Sequence, residues 1–138
     1  MTSEYRLKRR VQFYETDAAG IVHFSWYLRY MEEAEHALWR EAGISIAPAG
    51  SEIGWPSVAI SCEYHSALFF EDEIEILLRV AALSRKTIRY ECVITRGDAR
   101  IATAGMTTVC VIKKAGEPMK ALPVPADVLE RLGVAVDA

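Results

Sequence analysis

One long stretch of this chain carries a sustained helical period, and everything around it alternates like strands. From Ser25 to Ala42, Tyr27, Tyr30, Met31, Ala34 and Leu38 recur at steps of 3, 1, 3 and 4, the apolar stripe of an amphipathic helix. Ser25 is placed as its N-cap and Gly43 as its C-terminal stop. Arg29, Glu32, Glu33, His36 and Arg40 fall on the opposite face, so the helix is expected to bury one side only. A lone long helix has no second helix to pack on. Its stripe must be buried by a sheet.

The rest of the chain supplies that sheet. Tyr5 to Tyr14 reads as the first strand, ahead of the helix. After it, Ile44 to Pro56 is a loop rich in Ala, Pro, Gly and Ser, placed at a site entrance. Four further strands are expected at Val58–Tyr64, Glu73–Ala82, Thr87–Thr95 and Arg100–Lys113, the last two joined by a tight turn at Gly97-Asp98. The Arg100–Lys113 run is apolar or small on both faces, which suits a central strand or a subunit contact. Pro123 and Pro125 end the pattern, and Ala126 to Leu132 reads as a short closing helix. The expectation is a single α+β domain over 1–138, one helix against a five-stranded antiparallel sheet. One helix cannot cover such a sheet, so a homodimer or homotetramer is expected.

Charge and cysteine usage narrow the partners. A formal charge of −3 lacks the basic bias of a nucleic-acid protein, and the basic cluster from Leu7 to Arg10 is short and lies within the first strand. No run approaches the 18 or so apolar residues of a membrane span, and the first ten residues hold no apolar signal core. Cys62, Cys92 and Cys110 show no paired or metal-binding spacing, so free thiols in a reducing, cytoplasmic setting are expected, with no metal site.

The chemistry concentrates before the helix. Asp17 stands just upstream of the helix start, with Ala18, Ala19 and Gly20 leaving room around it. A helix N-terminus presents unpaired N–H groups and a partial positive charge, which favour a developing oxyanion. A carboxylate beside such a helix end is a workable centre for cleaving an activated acyl group. Asp17 equally suits a turn cap, Gly20 a plain turn glycine, and His23 either an orienting group for Asp17 or turn packing. Phe24 and Ser25 would act through their backbone N–H groups. His36 and His65 read as solvated. Glu32 and Glu33 are adjacent on the helix and so cannot share a face as a catalytic pair, though Glu32 stands one turn before His36.

The segment Thr16 to Tyr27, T-D-A-A-G-I-V-H-F-S-W-Y, followed by the helix run Y-M-E-E-A-E, resembles the 4-hydroxybenzoyl-CoA thioesterase family of hotdog-fold proteins. Weaker similarity runs through W-P-S-V, E-Y-H-S-A-L-F-F-E-D-E-I and L-P-V-P, from about Tyr5 to Leu132. The resemblance implies a hotdog fold, a long helix wrapped by an antiparallel sheet, assembled as dimers or tetramers with the active site at the dimer interface. It implies an acyl-CoA substrate hydrolysed to free acid and CoA, with Asp17 as nucleophile or general base and the amides near Phe24 and Ser25 as the oxyanion site. No cofactor is implied beyond the coenzyme A of the substrate.

Tyr27 is expected to touch substrate. Arg85, Lys86 and Thr87, in the polar turn that begins at Ser84, either clamp the phosphates of CoA or form a solvated hairpin turn. Two residues depart from the family pattern: Trp26 where many members carry Asn, and Glu35 where many carry Arg. Two alternatives stay open. A hotdog hydratase or dehydratase would show D-x-N-P-x-H or a G-H-F-P loop, but Asp17 to His23 is one residue too long, Ala19 replaces the Asn and no such loop occurs. A non-catalytic acyl-binding scaffold would have no use for Asp17.

Overall fold

A computed structural model describes residues 1–136. Strand β1 runs over Glu4–Arg10, helix α1 over Trp26–Glu41, β2 over Ile53–Gly54, β3 over Ser57–Tyr64, β4 over Glu73–Leu83, β5 over Thr87–Arg96 and β6 over Ala99–Val109. Short strands β7 (Val111–Ile112) and β8 (Lys120–Ala121) and helix α2 (Ala126–Arg131) follow. The main sheet is antiparallel with order β1-β4-β5-β6-β3, and α1 lies across one face of it. This is the hotdog arrangement, α+β as expected.

Period-two burial builds the face under the helix. Ile74, Ile76, Leu78 and Val80 of β4 and Ile88, Tyr90, Cys92 and Ile94 of β5 are buried against Tyr30, Met31, Ala34 and Leu38 of α1. Each such aliphatic side chain contributes about 1.5–3 kcal/mol by leaving water.

The helix buries more than its stripe. Glu35, Ala37 and Trp39 are also enclosed, because the 44–55 loop and the chain's end wrap the helix from other sides. Trp55 meets Trp39 edge-on at 5.2 Å, and the Trp39 Nε1–H donates to the Tyr90 hydroxyl at 3.0 Å. The helix ends where expected. Gly43 has φ +83, and Arg131 of α2 donates to the Ala42 carbonyl at 3.1 Å, close enough that a side chain at Gly43 would collide with it.

Three expectations need correction. The first strand stops at Arg10, and Phe13–Glu15 forms a 3-10 turn instead, because the Glu15 carboxylate folds back onto the Gln12 N–H at 2.9 Å. The expected Arg100–Lys113 strand breaks at Cys110, and Val111–Ile112 joins a small second sheet of order β2-β7-β8. On the polar helix face Glu32 stays exposed and pairs with Arg29 at 3.2 Å, with no pair to His36 among the described residues, while Glu33 is tied to Arg9 of β1 at 2.9 Å. Among the described residues, no helix is long and apolar enough to cross a membrane.

The two edges of the main sheet differ. Edge strand β1 carries Arg6, Lys8 and Arg10 outward, the charged blunting that discourages pairing. Edge strand β3 turns Ile60 and Tyr64, each 47% exposed, toward the helix side of the sheet, where α1 leaves both partly uncovered. The free edge is the apolar one.

Candidate active site

Buried charge holds the turn that carries Asp17. Glu15 is fully buried, and its Oε1 accepts from Arg9 Nη1 at 2.7 Å and from the Tyr30 hydroxyl at 2.7 Å, besides the Gln12 N–H. Arg9 Nη2 lies 2.5 Å from the other oxygen, and the guanidinium sits 4.5 Å over the Tyr30 ring. Burial alone would raise the Glu15 carboxyl, yet Arg9 and the two other donors outweigh it and hold it below its ordinary value. The backbone oxygen of Glu15 accepts from the His23 N–H at 2.8 Å, and Thr16 bridges to Val22. The cluster therefore clamps both arms of the 16–22 turn.

Within that turn, the Asp17 N–H donates to the Ile21 carbonyl at 2.8 Å and the Gly20 N–H returns to the Asp17 carbonyl at 2.9 Å. Gly20 takes φ +80, which a residue with a side chain adopts only under strain. The Ala19 N–H donates to Asp17 Oδ1 at 2.8 Å, fixing the carboxylate from behind. Asp17 borders a hollow of about 340 Å³ lined by Ile21, Phe24, Tyr27, Tyr64, His65 and Ala67, among others. Tyr27 is buried and meets Tyr64 edge-on at 4.9 Å, while the Tyr64 hydroxyl donates to the Phe24 carbonyl at 2.9 Å. Burial pushes both phenols up, so each is a hydrogen-bond donor at neutral pH.

The two amides expected at the helix start differ. Ser25 occupies the N-cap position, but its hydroxyl makes no capping bond and instead lies 2.7 Å from His23 Nδ1. The Ser25 N–H donates to the same His23 nitrogen at 3.3 Å. The Phe24 N–H has no acceptor among the described residues, and its side chain is 65% exposed at the mouth of the hollow. His23 stacks on Phe24 with ring centroids 4.3 Å apart and lies outside the lining of the Asp17 hollow.

Other expected residues lie elsewhere. Arg85, Lys86 and Thr87 form the β4–β5 turn, closed by the Ser84 N–H on the Thr87 carbonyl at 3.0 Å. They stand at the opposite end of the sheet: β5 runs from Thr87 to Arg96, and Arg96 donates to Ala67 beside the hollow at 3.0 Å. One chain does not bring them to Asp17. Trp26 packs edge-on against Tyr14 at 5.5 Å, away from the hollow. Sequence reasoning missed Tyr64 and Ser66 as lining residues and placed His65 in solvent. His65 is exposed, borders the hollow and lies 3.1 Å from the Thr103 hydroxyl. Arg9 was equally hidden, inside what reads as a surface basic run.

A second, smaller hollow of about 210 Å³ opens at the other end of β3, lined by Glu32, Glu35, His36, Ile46, Trp55, Ser57, Met106 and Lys113, among others. Among the described residues, no cluster of His, Cys, Asp or Glu is arranged to hold a metal ion.

The thioesterase-like superfamily model matches residues 11–132. A putative esterase of Aquifex aeolicus is 39% identical over 127 residues, covering 91% of this chain and 94% of that protein. A 1,4-dihydroxy-2-naphthoyl-CoA hydrolase of Synechococcus elongatus is 30% identical over 112 residues, covering 79% of this chain and 82% of its own. Among solved structures, a gentisyl-coenzyme A thioesterase superposes with a TM-score of 0.82 at 27% identity, covering 92% of this chain and 98% of that one.

Proposed function

The chain belongs to the thioesterase-like superfamily, and from that premise we propose that it hydrolyses an aromatic acyl-CoA to the free acid and CoA, in a site centred on Asp17 and completed by a second copy of the chain. The observation that carries this reading is the pairing of a backed carboxylate, Asp17, with the unengaged Phe24 N–H on one hollow. The thioester carbonyl oxygen, placed against the Phe24 amide at the positive helix end, gains stabilisation as negative charge builds on it. Asp17 then either attacks the carbonyl carbon, releasing CoA thiolate and leaving an acyl anhydride that water opens, or takes a proton from the attacking water. Both routes consume one water and yield acid and thiol.

The two relatives named above for an activity act on aromatic acyl thioesters, and the aromatic wall of Tyr27, Phe24 and Tyr64 fits that class here. The apolar edge of β3 fits antiparallel pairing with its own copy, which continues the sheet across both chains. That pairing sets the Ser57 end of one β3 beside the Tyr64 end of the other. Thr87 pairs with Val109, whose N–H donates to the Pro56 carbonyl at 3.1 Å, so Arg85 and Lys86 come from the partner to meet the CoA phosphates. The unpaired cysteines fit a cytoplasmic enzyme.

Thiol release from a panel of acyl-CoAs, followed with a thiol-reactive dye, tests the reading. Aromatic acyl-CoAs are turned over by the wild type, and Asp17→Asn loses at least about 100-fold in kcat with its circular dichroism unchanged. A wild type that releases no thiol from any CoA ester, or an unimpaired Asp17→Asn, overturns it.

A further inference from the structure

Glu35 is a buried carboxyl with an oxygen that nothing among the described residues satisfies. It is 5% exposed, it lines the hollow at the Ser57 end of β3, and its Oε2 has no hydrogen-bond partner among the described residues. The Trp39 Nε1–H donates to the Tyr90 hydroxyl, which leaves the Tyr90 proton for Glu35. His36 Nε2 stands 3.9 Å from Oε1. A buried carboxyl oxygen left without a partner costs stability, so a carboxyl held here points to something it binds.

The hollow has the size and walls for a ring. Its volume of about 210 Å³ exceeds the roughly 150 Å³ that admits benzene, and Trp55, Ile46 and Met106 supply apolar walls. Within one chain it is remote from Asp17. Tyr64 borders the Asp17 hollow and Ser57 the Glu35 hollow, and the strand between them spans about 23 Å. Antiparallel pairing of β3 with its copy about a two-fold axis near Ile60 and Ser61 places Ser57 of one chain opposite Tyr64 of the other, strands about 4.8 Å apart. The two hollows then face each other.

We propose that Glu35 selects the acyl group, forming a hydrogen bond to a hydroxyl at the far end of a ring-sized acyl chain whose thioester lies at Asp17 of the partner subunit. This rests on the thioesterase reading and on the pairing through β3. A ring without the hydroxyl leaves the Glu35 oxygen buried and unanswered, so it binds less well. Burial, assisted by Glu32, pushes Glu35 up to about 7 against the support of Tyr90, so near neutrality it offers both a donor and an acceptor form.

The test compares kcat/KM for CoA esters of a hydroxylated and an unsubstituted aromatic acid. The wild type favours the hydroxylated ester by about 10- to 100-fold. Glu35→Leu brings the ratio close to one, and the isosteric Glu35→Gln, which keeps the fold, retains most of it. Mixing Glu35→Leu chains with Asp17→Asn chains then restores hydroxylated-ester turnover to roughly a quarter of wild type, the share of intact sites under random pairing. An unchanged ratio in Glu35→Leu, or no recovery in the mixture, overturns the proposal. If the wild type turns over no ester, the thioesterase reading fails instead. Binding of the hydroxylated ester to Asp17→Asn, read from tryptophan fluorescence, then decides: loss of affinity on adding Glu35→Leu supports the role of Glu35, and unchanged affinity overturns it.

Discussion

Two buried carboxyls in this chain answer burial in opposite ways. Glu15 gathers Arg9, Tyr30 and the Gln12 N–H and stays ionised, while Glu35 finds too few donors and rises to about 7. Removing Arg9 leaves the Glu15 charge buried and unpaired. Arg9→Ala is therefore expected to lower unfolding free energy by about 3–5 kcal/mol in urea titrations, and to loosen the turn that carries Asp17. The contribution of Glu15 is present above the ordinary carboxylate range and is lost as pH falls through its lowered value.

Glu35 works the other way. The folded chain holds its proton more tightly than the unfolded chain, so stability falls as pH rises from 4.5 to about 7 and then levels off. The groups facing it are Glu32 and His36 on α1, Tyr90 on β5 and Lys113 beyond β7. At fixed protein concentration, Glu35→Gln is expected to remove this decline, about 3 kcal/mol at most, when urea midpoints at pH 5 and pH 8 are compared with wild type.

At the scale of elements, what the sequence makes legible follows from periodicity. The bounds of α1, β3, β4 and β5 lie within a residue or two of expectation because their apolar residues recur along the sequence with period 3.6 or 2. The first strand is misjudged at its end because a single side chain, Glu15, diverts the backbone after Arg10. The enclosure of Glu35 and Trp39 is invisible in the helical pattern, because their cover comes from Trp55 and Tyr90, distant in sequence. Asp17, Gly20 and the helix start were legible as one constellation. The lining by Tyr64 and His65 was not, since it depends on how β3 ends beside the turn. The β4–β5 turn carries its own test. Arg85→Ala with Lys86→Ala is expected to raise KM for acyl-CoA about 10-fold or more, with a much smaller fall in kcat, measured by steady-state thiol release.

In the proposed dimer, one chain is half of a site. α1 covers the sheet from β1 to β6 and leaves Ile60 and Tyr64 on the inner face of β3 half-exposed, with a hollow at each end of that strand. In that dimer a second copy would both cover the apolar strip and bring Glu35, Arg85 and Lys86 toward the Asp17 of its neighbour. In that arrangement activity and assembly are one property. A charge at the centre of the strip, as in Ile60→Arg, opposes pairing directly, since its two copies lie close together about the two-fold axis. The most direct measurement is specific activity against dimer fraction, from sedimentation of wild type and Ile60→Arg over a range of protein concentrations. Turnover is expected to follow the dimer, and a folded Ile60→Arg monomer to be inactive. Monomers that hydrolyse acyl-CoA at the full wild-type rate would contradict this.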